Sequence, residues 1–394
     1  FFYMSLSELK TVSIFGVTGS VGLSSVEVIS KFPKKFSVDT IVSKNNIFKL
    51  AKIAKLLKPK LVLIYDSADE KKLKILLEGE SCEVNSGESA IIEASRRKVD
   101  IFIAAIMGIA GLKSTLECIS HVKILALANK ESLVCLGKNI INLAKTNNCK
   151  IIPLDSEHNA LFQLINTKDK KFIRRLIITC SGGPFLGYKK KDLVNITPDE
   201  AIKHPIWNMG KKISVDSATL MNKGLELIEA AYLFDILESK IDILVHPQSI
   251  IHGIVEYIDG SLKASMGTPD MRMPISYAIN WPEREVTNVK ELELSSVKSL
   301  TFDELDEEIF PAIKVSRSVI KIGGTAPTLL NAANEIAVKA FLNKRIKFLC
   351  IMEIIEEVLS KLNITQNTDL ESIIGSDRDA RILGEKLIEN MSMR

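Results

Sequence analysis

The first part of the chain alternates short apolar runs with stretches of helical period. Val12-Ser13-Ile14-Phe15 runs straight into Gly16-Val17-Thr18-Gly19-Ser20-Val21-Gly22, and a helical pattern follows from Leu23 to Ser30. Further strands are expected at Phe36 to Val42, Leu61 to Tyr65, Val99 to Ala105, Ile124 to Ala128 and Lys150 to Leu154, with helical patterns such as Leu133 to Lys145 between them. Strands alternating with helices predict a parallel, doubly wound sheet, so residues 1–154 read as a Rossmann-like domain of an α/β protein. The pattern then changes. Arg175 to Thr179, Ile241 to Val245, Ile250 to Tyr257 and Ser261 to Met266 read as strands, the last returning from a turn at Asp259-Gly260, which predicts a mixed sheet with helices on one face. This α+β domain is expected over 155–285. From Glu283 to about Leu305 periodicity weakens and charges rise, giving a linker over 286–308. Residues 309–394 are helical throughout, for example Ala332 to Leu342 and Ile351 to Leu359, and predict a C-terminal helical bundle.

Composition narrows the class. A chain of 394 residues exceeds one ordinary core, and 46% hydrophobic with 25% charged residues describes a globular protein. The net charge of +4 is small for this length and gives no reason to expect a nucleic-acid partner. The clusters Lys168 to Lys171 and Lys189 to Lys191 read as solvated loop faces. Cys82, Cys118, Cys135, Cys149, Cys180 and Cys350 form no CxxC and lie mostly in apolar segments, which predicts reduced thiols in a cytoplasmic protein. The longest apolar stretch, Ile101 to Leu112, is broken by glycines and falls short of the roughly 20 residues a membrane span needs. No membrane partner is expected. The opening residues lack a basic n-region, so no signal peptide is read, and Met4 is the expected natural start.

Chemistry concentrates where strands end. The glycine turn between strand and helix suits a pyrophosphate, met by backbone amides and the positive end of the helix dipole. A plain turn is the alternative. After the second strand stand Ser43-Lys44-Asn45-Asn46, where an NAD enzyme carries Asp or Glu for the ribose hydroxyls; Lys44, Asn45 and Asn46 favour the 2′-phosphate of NADPH instead. Asn129-Lys130-Glu131 closes another strand, and Lys130 is a candidate ligand-facing cation rather than an exposed lysine at a helix start.

Pro153-Leu154-Asp155-Ser156-Glu157-His158-Asn159 follows the last strand of the first domain. In an extended backbone Asp155 and Glu157 share a side, and such a pair suits a hard cation. The alternative is a helix capped by Ser156 with Glu157 in its first turn. Ser181 with Gly182 and Gly183 can form a small anion nest. The loop His204-Pro205-Ile206-Trp207-Asn208-Met209-Gly210-Lys211-Lys212 is costly to expose and reads as a lid, or else as a loop packed on the core. Asn222 and Glu226 share a helix face beside Lys223; a plain Lys223–Glu226 ion pair competes with a role for Asn222 and Lys223 on an anion and Glu226 on a metal. His246 and His252 read as satisfied core histidines.

Taken together, these motifs resemble the 1-deoxy-D-xylulose 5-phosphate reductoisomerase family over nearly the whole chain. The likeness includes Leu127 to Leu133, Ser181 to Phe185, Ser214 to Glu226, His246-Pro247-Gln248-Ser249, Pro269-Asp270-Met271-Arg272 and Leu330 to Glu335. It implies a V-shaped homodimer, NADPH and Mg²⁺ or Mn²⁺ as cofactors, and a sugar phosphate substrate rearranged and then reduced. Carried over position by position, it implies Asp155, Glu157 and Glu226 as metal ligands. Ser181, Ser217, Asn222 and Lys223 would form the phosphate site with His204 nearby. Lys130, Ser156 and Glu157 would contact the reacting carbons' oxygens, with Trp207 and Met209 in the closing loop. Thr18, Gly19, Ser20, Val21, Asn129, Glu131 and Gly210 would hold the cofactor. Departures are Lys44-Asn45-Asn46 in place of Gly-Lys-Asn, Ile206 for a lid asparagine, and Cys180 for a small residue. A metal-assisted NADPH dehydrogenase without rearrangement, and a non-catalytic NADPH sensor, are the other classes weighed.

Overall fold

The computed structural model describes residues 9–166, 170–207 and 209–392. Met4, part of the Lys168 to Lys171 run, and Asn208 of the lid loop lie outside them. In chain order the first elements are β1 (Lys10–Phe15), α1 (Ser20–Ser30), β2 (Phe36–Ser43), α2 (Ile47–Leu57), β3 (Leu61–Ile64), α3 (Glu70–Leu76), β4 (Glu83–Ser86), α4 (Glu88–Ser95), β5 (Val99–Ala104), α5 (Leu112–Cys118), β6 (Val122–Leu127), α6 (Lys130–Leu136), α7 (Lys138–Thr146) and β7 (Lys150–Pro153). Then come α8 (Ser156–Leu164), β8 (Ile173–Cys180), α9 (Pro198–Ala201), α10 (Lys211–Ala218), α11 (Met221–Leu233), β9 (Ile241–Val245), β10 (Ile251–Tyr257), β11 (Leu262–Met266) and α12 (Arg272–Asn280). Helices α13 (Ala312–Ile322), α14 (Ala326–Leu342), α15 (Cys350–Lys361) and α16 (Leu370–Ser392) end the described chain.

These elements form two compact units that do not follow chain order. One comprises the chain as far as Ser132, Ile140–Asn159 and Asp270–Val289; the other comprises Leu133–Asn139, Ala160–Pro269 and the segment from Lys290. The first is built on a seven-stranded parallel sheet in the order β4-β3-β2-β1-β5-β6-β7. This is the expected doubly wound, Rossmann-like architecture. Its order reverses between β1 and β5, the topological switch point beside which such sheets bind ligands. Helices cover the sheet, so its inner strands are continuous apolar runs, with Ile14, Phe15, Ile41, Leu63 and Ile103 fully buried. Helix α12 returns to this unit from far along the chain and packs on α1, where Arg272 Nη1 lies 2.6 Å from Glu27.

Two local expectations need correction. Strand β4 was not anticipated, because Glu83-Val84-Asn85-Ser86 is a short, polar edge segment paired on one side only. The single helix expected from Leu133 to Lys145 is two, α6 and α7, because Gly137 adopts φ +48° against the ring of Tyr232. A Cβ at Gly137 would lie 2.8 Å from Tyr232 Cζ.

The second unit holds a mixed sheet in the order β11-β10-β8-β9, with β8 and β9 parallel and β10 antiparallel to both β8 and β11. A bridge from Val245 to Asp303 ties the irregular segment after Val289 to β9. The helices after residue 309 do not close a core of their own: Leu330, Ala333 and Phe341 of α14 share one apolar cluster with Val215 of α10 and Leu225 of α11. Helix α14 is buried on nearly every side, which is why its sequence lacks a polar face.

Candidate active site

At the carboxyl edge of the parallel sheet the glycine turn is built by close approach. Gly16 adopts φ +95°, and a Cβ there would sit 2.3 Å from the carbonyl oxygen of Ala105 on the loop after β5. A Cβ on Gly22 would sit 2.3 Å from the Gly16 oxygen. Both positions therefore require glycine. Helix α1 starts after Gly19 with no side-chain cap, so its first amides face outward at an exposed Gly19 and Ser20. An uncapped helix start beside a glycine turn fits a pyrophosphate. Thr18 and Ser43 join this turn to the end of β2, with their hydroxyl oxygens 2.7 Å apart. Lys44, Asn45 and Asn46 are all exposed there, but the Asn46 side chain accepts the Lys49 amide at 3.1 Å and caps α2. Val21 lies in the first turn of α1, half-buried.

The edge after β6 is more enclosed. Asn129 is 1% exposed, donates through Nδ2 to the Gly108 oxygen at 3.2 Å, and accepts the Ser132 amide at 3.2 Å. Its side chain thus holds the loop to the start of α6. Glu131 is also buried. Lys130 is not the exposed lysine of the plain reading. It is buried, and its Nζ donates to Asp155 Oδ2 at 2.7 Å.

The stretch after β7 differs from the extended reading. The helix begins at once, at Ser156, and the cap is Asp155 rather than Ser156: Asp155 Oδ1 accepts the Glu157 amide at 3.3 Å. A carboxylate here gains from the orphan amides and the dipole of α8. With α8 beginning at Ser156, Asp155 and Glu157 do not alternate with the period of an extended strand. Ser156 Oγ donates to Glu157 Oε2 in a close contact. His158, fully buried with Nδ1 3.2 Å from Asp155 Oδ1, received no role in the sequence, although its i, i+3 spacing from Asp155 was the available signal.

In the second unit, Gly182 and Gly183 turn with φ +83° and +71°, and a Cβ on Gly183 would lie 2.6 Å from the Ser217 oxygen at the end of α10. This close approach brings the Ser181 loop onto Ser217. Ser181 Oγ lies 2.9 Å from His204 Nε2 and accepts the Gly183 amide at 3.2 Å. His204 Nδ1 accepts the amides of Ile206 and Trp207 at 3.1 and 2.9 Å. Because Nδ1 is an acceptor, the neutral ring carries its proton on Nε2 and donates to Ser181. Trp207 and Met209 are half-buried, with the Trp207 and His252 ring centroids 6.3 Å apart, while Gly210 is exposed and precedes α10.

Helix α11 starts after Leu220, itself in the left-handed region at φ +61°. The plain Lys223–Glu226 pair is present at 2.7 Å, and Asn222 Nδ2 donates to Glu226 Oε1 at 2.6 Å. Glu226 is 1% exposed. A carboxylate so buried needs cationic or hydrogen-bonding partners. His246 is the expected satisfied core histidine: Nδ1 donates to the Thr301 oxygen at 2.8 Å and Nε2 accepts the amides of Ile250 and Ile251, both at 3.2 Å. The six cysteines are free, and burial pushes the Cys149 thiol up to about 11.

A doubly wound sheet with a glycine turn at its switch point, and with a lysine, carboxylates and capped helix starts along the same edge, defines a dinucleotide-binding oxidoreductase. Models of known families match the chain in three consecutive segments. Residues 12–137 match 1-deoxy-D-xylulose 5-phosphate reductoisomerase, 151–234 its C-terminal domain, and 266–383 the DXP reductoisomerase C-terminal domain. The chain belongs to the 1-deoxy-D-xylulose 5-phosphate reductoisomerase family. The reductoisomerase of Thermoanaerobacter pseudethanolicus is 46% identical over 374 residues, covering 95% of this chain and 98% of that one. That of Zymomonas mobilis is 43% identical over 386 residues, covering 98% and 100%. A Zymomonas mobilis reductoisomerase solved in complex with NADPH superposes with a TM-score of 0.92 at 42% identity, over 97% of this chain and 99% of that one. A DOX-P reductoisomerase in complex with NADPH, fosmidomycin and magnesium gives 0.93 at 37% identity, over 97% and 98%.

Proposed function

We infer that the protein converts 1-deoxy-D-xylulose 5-phosphate to 2-C-methyl-D-erythritol 4-phosphate with NADPH and a divalent cation, a step of the non-mevalonate isoprenoid precursor pathway. The observation that carries this is family membership over 95% of the chain, joined to an uncapped, glycine-built helix start with no acid after β2. The donor set also fits a hard cation, since the acids at hand offer only oxygen. By the family resemblance we assign the cation to Asp155, Glu157 and Glu226. When bound, Mg²⁺ or Mn²⁺ supplies Lewis acidity toward neighbouring substrate oxygens, and NADPH supplies hydride.

The chain's own groups do the rest. Ser181, Ser217, Asn222 and Lys223, with His204 donating through Ser181, anchor the phosphate, and this binding remote from the reacting carbons positions them. Lys130 holds a proton-bearing ammonium beside Asp155, where it orients a hydroxyl or ketone oxygen. Ser156 and Glu157 present a hydroxyl and a carboxylate from the same helix start. Trp207 and Met209 exclude water when their loop closes. The free thiols fit a cytoplasmic compartment, and the family resemblance implies a homodimer, which sedimentation analysis checks.

The direct test is metal-dependent NADPH oxidation with 1-deoxy-D-xylulose 5-phosphate, with the product identified by NMR. An unrearranged product would favour a simple dehydrogenase. Glu226→Gln is expected to weaken metal binding by calorimetry and to lower turnover with NADPH affinity unchanged. Full activity in excess chelator would remove the metal from the reaction.

A further inference from the structure

We propose that Lys49 is a specificity residue whose ammonium binds the 2′-phosphate on the adenosine half of the cofactor. This rests on the NADPH reading above. β1 and β2 are parallel neighbours, so the glycine turn after β1 and the loop after β2 open side by side. The Thr18–Ser43 contact ties them together. In dinucleotide-binding sheets the ribose hydroxyls of the adenosine come to the end of the second strand, where NAD enzymes place a carboxylate. None stands in Ser43-Lys44-Asn45-Asn46.

Of that segment, Asn46 spends its side-chain oxygen on the Lys49 amide as the cap of α2. The same bond fixes the first turn of α2, from which the Lys49 side chain turns back over the glycine turn and donates through Nζ to the Thr18 oxygen at 3.2 Å. Lys49 has no carboxylate partner among the described residues. A cation in the first turn of a helix is opposed by the dipole, so an unpaired one there lacks a stabilising reason in the protein itself. Its ammonium has three donors and the carbonyl uses one. A 2′-phosphate beside Thr18 would supply the missing counter-charge. Lys44 is exposed and brings a second charge on a free stem. Lys49 is half-buried and tethered, so it loses less freedom on binding and discriminates better.

The test uses the full-length protein and two cofactor fragments, 2′,5′-ADP and 5′-AMP, with binding measured by calorimetry for the parent, Lys49→Met and Lys49→Arg. Loss of a charge-assisted phosphate contact should raise the Kd of Lys49→Met for 2′,5′-ADP about tenfold or more, leave 5′-AMP unchanged, and leave Lys49→Arg close to the parent. Thermal melting of Lys49→Met checks that the fold is kept. Equal weakening of both fragments would mean that Lys49 only shapes the glycine turn, and no change in either would mean that it makes no contact; each overturns the proposal. If the parent itself binds neither NADPH nor 2′,5′-ADP, it is the NADPH reading that fails.

Discussion

Lys130 Nζ donates to Asp155 Oδ2 at 2.7 Å, with both side chains largely closed to solvent. The two residues come from different strand ends, so the pair exists only because β6 and β7 are parallel neighbours. Removing one partner of a buried pair leaves the other charge uncompensated, which typically costs about 3 to 5 kcal/mol. Lys130→Met should therefore lower the melting temperature of metal-free protein clearly. If Asp155 also serves a cation, millimolar Mg²⁺ should recover part of that loss while turnover stays abolished. Equal losses with and without Mg²⁺ in thermal scans would separate Asp155 from the metal.

The glycine turn offers a contrast between two substitutions that each add a single methyl group. A Cβ on Gly22 meets the Gly16 oxygen at 2.3 Å, so Gly22→Ala must displace backbone at a cost of about 1 to 3 kcal/mol. On Gly19 the nearest atom is the same oxygen at 3.4 Å, an ordinary contact, and the residue is exposed. Gly19→Ala should leave the melting temperature within experimental error yet weaken NADPH several-fold by intruding where the pyrophosphate approaches. Fluorescence titration beside thermal melting checks both halves.

How far the sequence was legible follows from the range of the interactions involved. Six strands of the seven-stranded sheet were readable because strands buried on both faces are apolar runs ending at glycine or polar residues. β4 was not, since an edge strand of Glu, Val, Asn and Ser carries no such run. The break at Gly137 was hidden because its cause is Tyr232, nearly a hundred positions away. The same holds for the site. Lys130 could be flagged from its unfavourable place at a helix start, but its partner Asp155 needed the strand order. Lys49 escaped notice because a lysine in an amphipathic helix looks like solvated surface until its contact with Thr18 is seen.

Asp39 gives a pH dependence. Burial alone would raise its carboxyl, but hydrogen bonds from Arg97, through Nε at 2.6 Å and Nη2 at 3.0 Å, and from Thr40 outweigh burial and hold it below the usual carboxylate range. A carboxyl depressed in the folded state contributes stability that is fully present above the unfolded value of about 4 and is lost as pH falls through the folded value. Arg97 is partly exposed, which screens the pair, so Asp39→Asn should cost about 1 kcal/mol at pH 7. That deficit should shrink steadily below about pH 4. Urea unfolding of both proteins at pH 7 and pH 3 measures it, and a deficit unchanged at pH 3 would contradict the assignment.

The loop that precedes α10 is held at its start, at His204. His204 Nδ1 accepts two successive backbone amides, which fixes the first turn of the loop, and Nε2 hands the ring's proton toward Ser181. Trp207 beyond it stays half-buried with its ring 6.3 Å from His252, short of the full burial a core tryptophan would reach. Such a side chain contributes little to the fold and much to covering a ligand. Trp207→Ala should lower kcat at least tenfold while shifting the melting temperature by no more than a few degrees. His204→Ala should act differently, since it frees the Ile206 and Trp207 amides and removes the donor to Ser181. It should raise KM for the phosphate-bearing substrate and make the loop easier to cleave in limited proteolysis, with NADPH and a phosphonohydroxamate mimic of the substrate protecting the parent more than the variant. If NADPH and that mimic leave cleavage of the parent unchanged, the loop is not a lid and Trp207 has only a packing role.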